Sequence, residues 1–208
     1  MDVVDEVERC NDDIKLVKYF SKDRSTKFTL FNSVSNVHLH SGRISLKKGP
    51  FVFIATIAET TKESGGTLIA PLRCYIAPVL SKGNWAIMDS DYERRVASRL
   101  ISSKGWYSAK ADFLAAVSKP LFYTSTDIEP CLPDFIISSE HHSIILEVMG
   151  SHAPQYLDRK ERTHASMEQL GQLMTFDAYA AEKGGTFDEE CFDAVRKVFN
   201  TLKYKESS

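Results

Sequence analysis

Apolar and polar positions change rhythm along this chain near residue 88. Before that point, apolar residues come in short runs rich in β-branched and aromatic side chains: FTLF at 28–31, FVFIATIA at 51–58 and LRCYIAPVL at 72–80. Turn-forming stretches such as Lys48-Gly49-Pro50 and Glu63-Ser64-Gly65-Gly66 separate them, so the pattern predicts strands and loops. Asn84-Trp85-Ala86-Ile87-Met88 predicts one more short strand. No internal repeat and no low-complexity linker stands out.

Beyond residue 88 the spacing turns helical. Ser90-x-x-Glu93 matches a capping box, and Val96, Leu100 and Ile101 follow at helical spacing. Gly105 is the expected end of that helix. A second helix is expected over 109–118, stopping before Lys119-Pro120, and Leu121-Phe122-Tyr123 opens an extended segment. Phe135-Ile136-Ile137 and the run 143–149 are nearly continuous apolar stretches, as expected of central strands covered on both faces. The polar stretch between them, with His141 and His142, reads as a turn. Pro154 suits the first residue of a helix running to about 170. Gly171, a strand over 173–176, a turn at Gly184-Gly185 and an amphipathic helix over 187–202 complete the pattern. The fold class is α/β, with a β-rich region over residues 1–88 and an α/β domain over residues 89–208.

Composition narrows this only a little. With 208 residues, 43% of them hydrophobic, the chain can bury a sizeable core. No apolar run approaches the ~20 residues of a membrane span. The acidic N-terminus MDVVDEVERC has no apolar leader, so a cytoplasmic location is expected. The four cysteines are far apart and lack zinc-ligand spacing, so inert thiols are expected. A formal net charge of −2 does not advertise nucleic-acid binding. A basic face could still form from Lys47-Lys48, Arg94-Arg95 and the run Arg159, Lys160, Arg162.

The chemistry lies in the two apolar strands. Asp134 begins one and Glu147 lies near the end of the next, between Leu146 and Val148. An ionised carboxylate inside an apolar strand is costly unless it is paired or bound to a metal. Two carboxylates reaching one point from adjacent strand ends suit Mg²⁺, which takes oxygen ligands and can activate water at a phosphodiester.

Pro133-Asp134, an apolar strand, a hairpin turn and Glu147-Val148-Met149 together resemble the signature of the PD-(D/E)XK nuclease superfamily. The element order around them is similar to that superfamily's αβββαβ core. The resemblance spans roughly residues 89–178. It implies a Mg²⁺-dependent DNA endonuclease, with Mn²⁺ as a substitute, serving restriction, repair, recombination or a mobile element. Asp134, Glu147 and the Val148 carbonyl would hold the metal, with Glu93 as an auxiliary carboxylate. The signature expects lysine where this chain has Met149, and a thioether cannot replace a cation. Some branches carry that lysine on the following helix. Here Tyr156, Lys160 and His164 recur every four residues and so share a helix face. Lys160 is then the candidate replacement, with Tyr156, Arg159 and His164 as substrate contacts.

Other readings stay open. The chain could be an inactive nuclease-fold protein that binds nucleic acid or a protein, or a purely structural interaction protein. Glu93 could serve only its capping box, Asp134 a turn, and Glu147 an ion pair with Lys119 or Arg159. Lys160 could lie on a solvated face, and His164 could be structural. Residues 1–88 could contact substrate or a protein partner.

Overall fold

The computed structural model describes residues 2–4, 6–10, 13–17, 27–30, 37–40, 49–61, 65–111 and 114–206. The chain forms two compact units, Met1–Arg94 and Arg95–Ser208, with the division inside the first helix.

The first unit is a β unit. β1 (Asp2–Val4), β6 (Phe51–Thr61), β7 (Thr67–Ser81) and β5 (Val37–Leu39) run in that order across one sheet, and β8 (Asn84–Ile87) also pairs with β7. β2 (Glu6–Cys10), β3 (Asp13–Val17) and β4 (Lys27–Leu30) form a separate antiparallel sheet. The long β6–β7 hairpin shifts register between Thr56 and Ile57, where the partner strand passes through Pro71. Proline cannot donate to a ladder, so a register irregularity there is expected. Val52, Ala77 and Val79 form its buried core, with Tyr75 and Ile87 packed against them. The four strands absent from the sequence expectation, β1, β2, β3 and β5, are only three to five residues long, and each includes a charged or polar residue that leaves no long apolar run. Lys47-Lys48 and Glu63-Ser64 lie outside the described residues.

The second unit is an α/β unit. Its sheet has the order β12-β11-β10-β9, where β9 is Ala116–Ser118, β10 Phe135–Ser138, β11 Ser143–Val148 and β12 Gln172–Phe176. β9, β10 and β11 pair antiparallel, while β12 returns parallel to β11 through α2 (Pro154–Glu168). α3 (Ala178–Gly184) ends on Gly185, whose φ of 73° is the left-handed conformation that glycine adopts without steric cost. α4 (Phe187–Glu206) packs on β11 and β12 and buries Val195, Val198, Phe199 and Leu202. Cys131, Ile145 and Met167 form a core on the α2 side. Among the described residues, no helix is long and apolar enough to cross a membrane. Cys74, Cys131 and Cys191 are buried free thiols.

Four expectations are corrected. α1 (Asp91–Ala111) does not stop at Gly105 but continues past it. A glycine inside a helix costs about 1 kcal/mol, and packing of the next turn outweighs that here. Tyr107 is buried, stacks on Phe199 at 5.0 Å between centroids, and donates its hydroxyl to Asn200 Oδ1 at 2.6 Å. The expected helix over 109–118 is therefore divided, its start belonging to α1 and its end to β9. Pairing of Val117 with Ile137 decides the strand, because ladder bonds to a buried strand override weak local propensity. Leu121-Phe122-Tyr123 forms no strand and lies in an exposed loop. Arg94 and Arg95 do not build a free basic face either. Arg94 pairs with Asp91 at 2.9 Å, and Arg95 reaches Glu182 at 2.5 Å and Asp188 at 2.9 Å while covering the Phe187 ring.

Two glycines should respond oppositely to alanine. A Cβ at Gly105 would meet nothing within 4 Å, so Gly105→Ala should stabilise by about 0.5–1 kcal/mol through helix propensity. A Cβ at Gly171 would lie 2.5 Å from the Ser143 carbonyl oxygen, so Gly171→Ala should cost about 1–3 kcal/mol. Urea unfolding of the two variants reads both signs.

Candidate active site

The β10–β11 register builds the site. Phe135 lies opposite Leu146 and Ile136 opposite Ile145. One further step along this ladder sets Asp134 opposite Glu147, and directly opposed residues share a sheet face. Ile136 and Ile145 pack with Met167 of α2. Alternation along a strand then turns Glu147 toward α2 as well.

Backbone donors fix the two carboxylates. The Asp134 N–H donates to Glu147 Oε1 at 2.8 Å, and the Val148 N–H donates to Asp134 Oδ2 at 2.9 Å. Glu147 is wholly buried and Asp134 nearly so. From α2, the Lys160 ammonium donates to Asp134 Oδ2 at 3.1 Å and to Glu147 Oε2. Two carboxylates therefore face one ammonium. Burial, then the Asp134 charge, pushes the Glu147 carboxyl up to about 7, with Lys160 opposing the shift. Burial also works against the charge on Lys160, but Asp134 and Glu147 outweigh it and hold the amine well above the usual lysine range. The cluster is a desolvated oxygen-rich point in which two carboxyl groups share one cation.

Tyr156, one helical turn before Lys160, braces the strand end. Its hydroxyl accepts from the Gly150 N–H at 3.1 Å and donates to the Val148 carbonyl at 3.2 Å. A carbonyl has two lone pairs, so Val148 retains one acceptor site. Met149 is tied by its backbone, donating to the Phe176 carbonyl at 2.8 Å and accepting from the Tyr179 N–H at 3.0 Å.

The structure thus brings Asp134, Glu147, Val148, Tyr156 and Lys160 together. Arg159 is exposed, with its guanidinium 5.4 Å from the Tyr156 ring centroid. His164 is half-buried, and its Nε2 is buried without a hydrogen-bond partner among the described residues. Burial and then Lys160 hold the His164 imidazole below its usual range. Glu93 belongs to the first unit. It is buried and accepts from the Ser90 hydroxyl at 3.3 Å and the Asp89 N–H at 3.2 Å, while its own N–H donates to Ser90 Oγ. Neither Lys119 nor Arg159 is the ion partner of Glu147; that partner is Lys160. Lys119 lies over the Phe135 ring.

A polar pair just after β11 lies outside the sequence expectations. His152 Nε2 meets Asp177 Oδ2 at 2.6 Å, and its ring lies 4.9 Å from that of Tyr179. The available signal was Asp177 itself, an acid ahead of a helix, which caps α3 by accepting from the Ala180 N–H at 2.9 Å.

Residues 89–198, more than half of the chain, match a family described as "Restriction endonuclease-like C-terminal domain". The chain is also similar to an Escherichia coli protein described as "Uncharacterized protein in cib 5'region". That similarity is 30% identity over 98 residues, covering 42% of this chain and 45% of the relative. The aligned region is thus less than half of the relative's length.

Removing one member of the charge cluster should be costly. Lys160→Met leaves two buried carboxylates without their cation and should lower stability at neutral pH by about 3–5 kcal/mol. A Glu147→Gln/Lys160→Met double variant should recover part of that loss in chemical denaturation. Tyr156→Phe, which strips two backbone partners, should cost about 1–2 kcal/mol in the same assay.

Proposed function

Because the chain belongs to the restriction endonuclease-like C-terminal domain family, and through it to the PD-(D/E)XK superfamily, we propose that it is a Mg²⁺-dependent DNA endonuclease. Mn²⁺ is the expected substitute, and restriction, repair, recombination or a mobile element the expected setting. One observation carries the reading. Lys160 reaches both Asp134 and Glu147 from α2, which supplies the cation that Met149 cannot.

The residues fit a hard divalent ion. Asp134 and Glu147 offer carboxylate oxygens, Val148 offers a main-chain carbonyl, and two buried carboxyl groups face a single ammonium. When bound, such an ion polarises the phosphate and lowers the pKa of a ligated water. The chain's own groups do the rest. Backbone N–H donors fix one oxygen of each carboxylate, Glu147 Oε1 and Asp134 Oδ2, and the Lys160 ammonium that now spans the pair would shift to admit an ion. Lys160 orients the attacking water and stabilises negative charge developing on the phosphoryl oxygens. Tyr156 fixes the turn of backbone that presents the Val148 carbonyl. Glu93, a buried acid at the start of α1, is retained as an auxiliary carboxylate. Arg159 is exposed for a phosphate, and His164, one helical turn after Lys160, is the substrate-side neighbour of that lysine. Residues 1–88 are proposed as a region of substrate contacts or a partner surface, separate from the domain over residues 89–208.

Supercoiled and single-stranded DNA incubated with Mg²⁺, Mn²⁺ or EDTA tests this directly. Cleavage should require the metal and fall by at least about 100-fold in Asp134→Asn, Glu147→Gln and Lys160→Ala. Glu93→Gln should give a smaller loss. Cleavage that survives Asp134→Asn would place the active site elsewhere. No cleavage with any metal, beside salt-sensitive DNA binding, would make the protein an inactive binder. Mg²⁺ at about 100 times its Kd should also raise the stability of the wild-type protein by about 2.7 kcal/mol. In thermal unfolding that gain should vanish in Asp134→Asn.

A further inference from the structure

The sheet of the second unit has two edges, and the chain treats them differently. At one edge, β9 is only Ala116–Ser118, and Lys119-Pro120 follows it at once. A short strand, a lysine and a proline are common devices that keep a stray strand from pairing. β12, at the other edge, has none of them. Gln172–Phe176 is uncharged, contains no proline, and pairs with β11 through all five residues without a bulge.

The ladder shows which backbone groups of β12 face outward. The Phe176 carbonyl accepts from the Met149 N–H, so Phe176 turns its backbone groups toward β11. Alternation gives Gln172 and Met174 the same direction and turns the N–H and C=O of Leu173 and Thr175 away from the sheet. Among the described strands, none pairs with that side of β12. Two donor–acceptor sets, about 6.6 Å apart, are left at the spacing of an absent strand.

A groove of about 630 Å³ runs along this edge, lined by the whole of β12 and by Glu190, Asp193, Ala194 and Lys197 of α4. Those four positions recur at helical spacing, so one stripe of α4 forms the wall. Alternating N–H and C=O groups beside such a wall fit an extended polypeptide, because it supplies both acceptors and donors in the same register. Charge narrows the partner further. Asp177, Glu190 and Asp193 line the groove against Lys197 alone. Glu190 accepts from the neutral Thr186 hydroxyl, and Asp177 meets His152. Asp193 meets Arg196 at 3.0 Å, an exposed pair that an incoming cation can replace. The carboxylates disfavour a nucleic-acid strand. A second copy of the chain offering its own β12 would bring an uncharged strand and leave these acids uncompensated.

We infer that β12 is the docking edge for an extended segment of another protein, added to the sheet as a fifth strand and carrying lysine or arginine for Glu190 and Asp193. Backbone bonds to Leu173 and Thr175 would supply the registry. The α4 stripe would select side chains, with a small or apolar residue against Ala194 and basic residues beside it. Binding at this edge needs no metal.

The test follows backbone amide exchange by NMR in the full chain, with synthetic peptides of about seven residues. One alternates Lys and Val, one alternates Glu and Val, and a third is the Lys–Val peptide with every peptide N–H methylated. At about ten times its Kd, the Lys–Val peptide should slow exchange at Leu173 and Thr175 by about tenfold. Met174, whose N–H already faces β11, should change far less. The Glu–Val and methylated peptides should each bind at least about tenfold more weakly. Glu190→Lys/Asp193→Lys, both on the exposed face of α4, should reverse the preference between the two charged peptides. Thr175→Pro removes an outward donor and no ladder bond, and should weaken the Lys–Val peptide by about tenfold. No added protection at Leu173 and Thr175 would mean that the edge accepts no strand. Equal binding of the Lys–Val and Glu–Val peptides would overturn the basic partner. Dimers in sedimentation that protect the same two amides without peptide would assign the edge to a second copy and overturn the inference as well.

Discussion

The antiparallel register between β10 and β11 is the constraint on which the site depends. Pairing of Phe135 with Leu146 sets Asp134 across from Glu147 and turns both toward the helix that carries Lys160. A slip of one residue would send every side chain of a strand to the opposite face. The apolar neighbours forbid it, because Ile137, Ile144, Ile145 and Leu146 are buried almost completely. Core packing thereby fixes a polar site that would be unfavourable to form alone.

The same arrangement shows how buried charge is tolerated. Ion pairs of this burial contribute little net stability, since desolvation offsets much of the attraction. Here each carboxylate also receives a backbone donor, from Asp134 and from Val148, which offsets part of that cost. One ammonium against two carboxylates still leaves Glu147 reluctant to ionise. A cluster optimised only for stability would not keep a second buried carboxyl group there. A cluster that takes up a divalent cation has a reason to keep it.

Support for the site comes from backbone geometry more than from further side-chain charges. Tyr156 ties Gly150 to Val148, and Phe176 at the end of β12 holds Met149 in place. The position normally given to the lysine is thus a structural node, and the cation arrives from the helix. Two of the arginines that looked available for a basic face, Arg94 and Arg95, are spent on acids within their own units.

Much of this was legible in the sequence, and the boundary has a physical cause. Nearly continuous apolar runs at 135–137 and 143–149 located the central hairpin, and an acid at the start of the first and another inside the second marked the carboxylate pair. Pro154 marked the start of α2, and a spacing of four placed Tyr156 and Lys160 on one face. These signals are local, and long apolar runs are the least easily overridden by tertiary context. Tertiary contacts decided the rest. Gly105 lies inside a helix because Tyr107 is buried against Phe199, and 116–118 is a strand because β10 offers it a ladder. No sequence spacing could show that the Lys160 ammonium meets both carboxylates or that the Tyr156 hydroxyl turns to the backbone. Such contacts depend on how α2 docks on the sheet, which is set by packing distant in the chain. The sequence by itself determined which strands hold the acids; only the fold, through the β10–β11 register and the docking of α2, decided which face they share and which cation meets them.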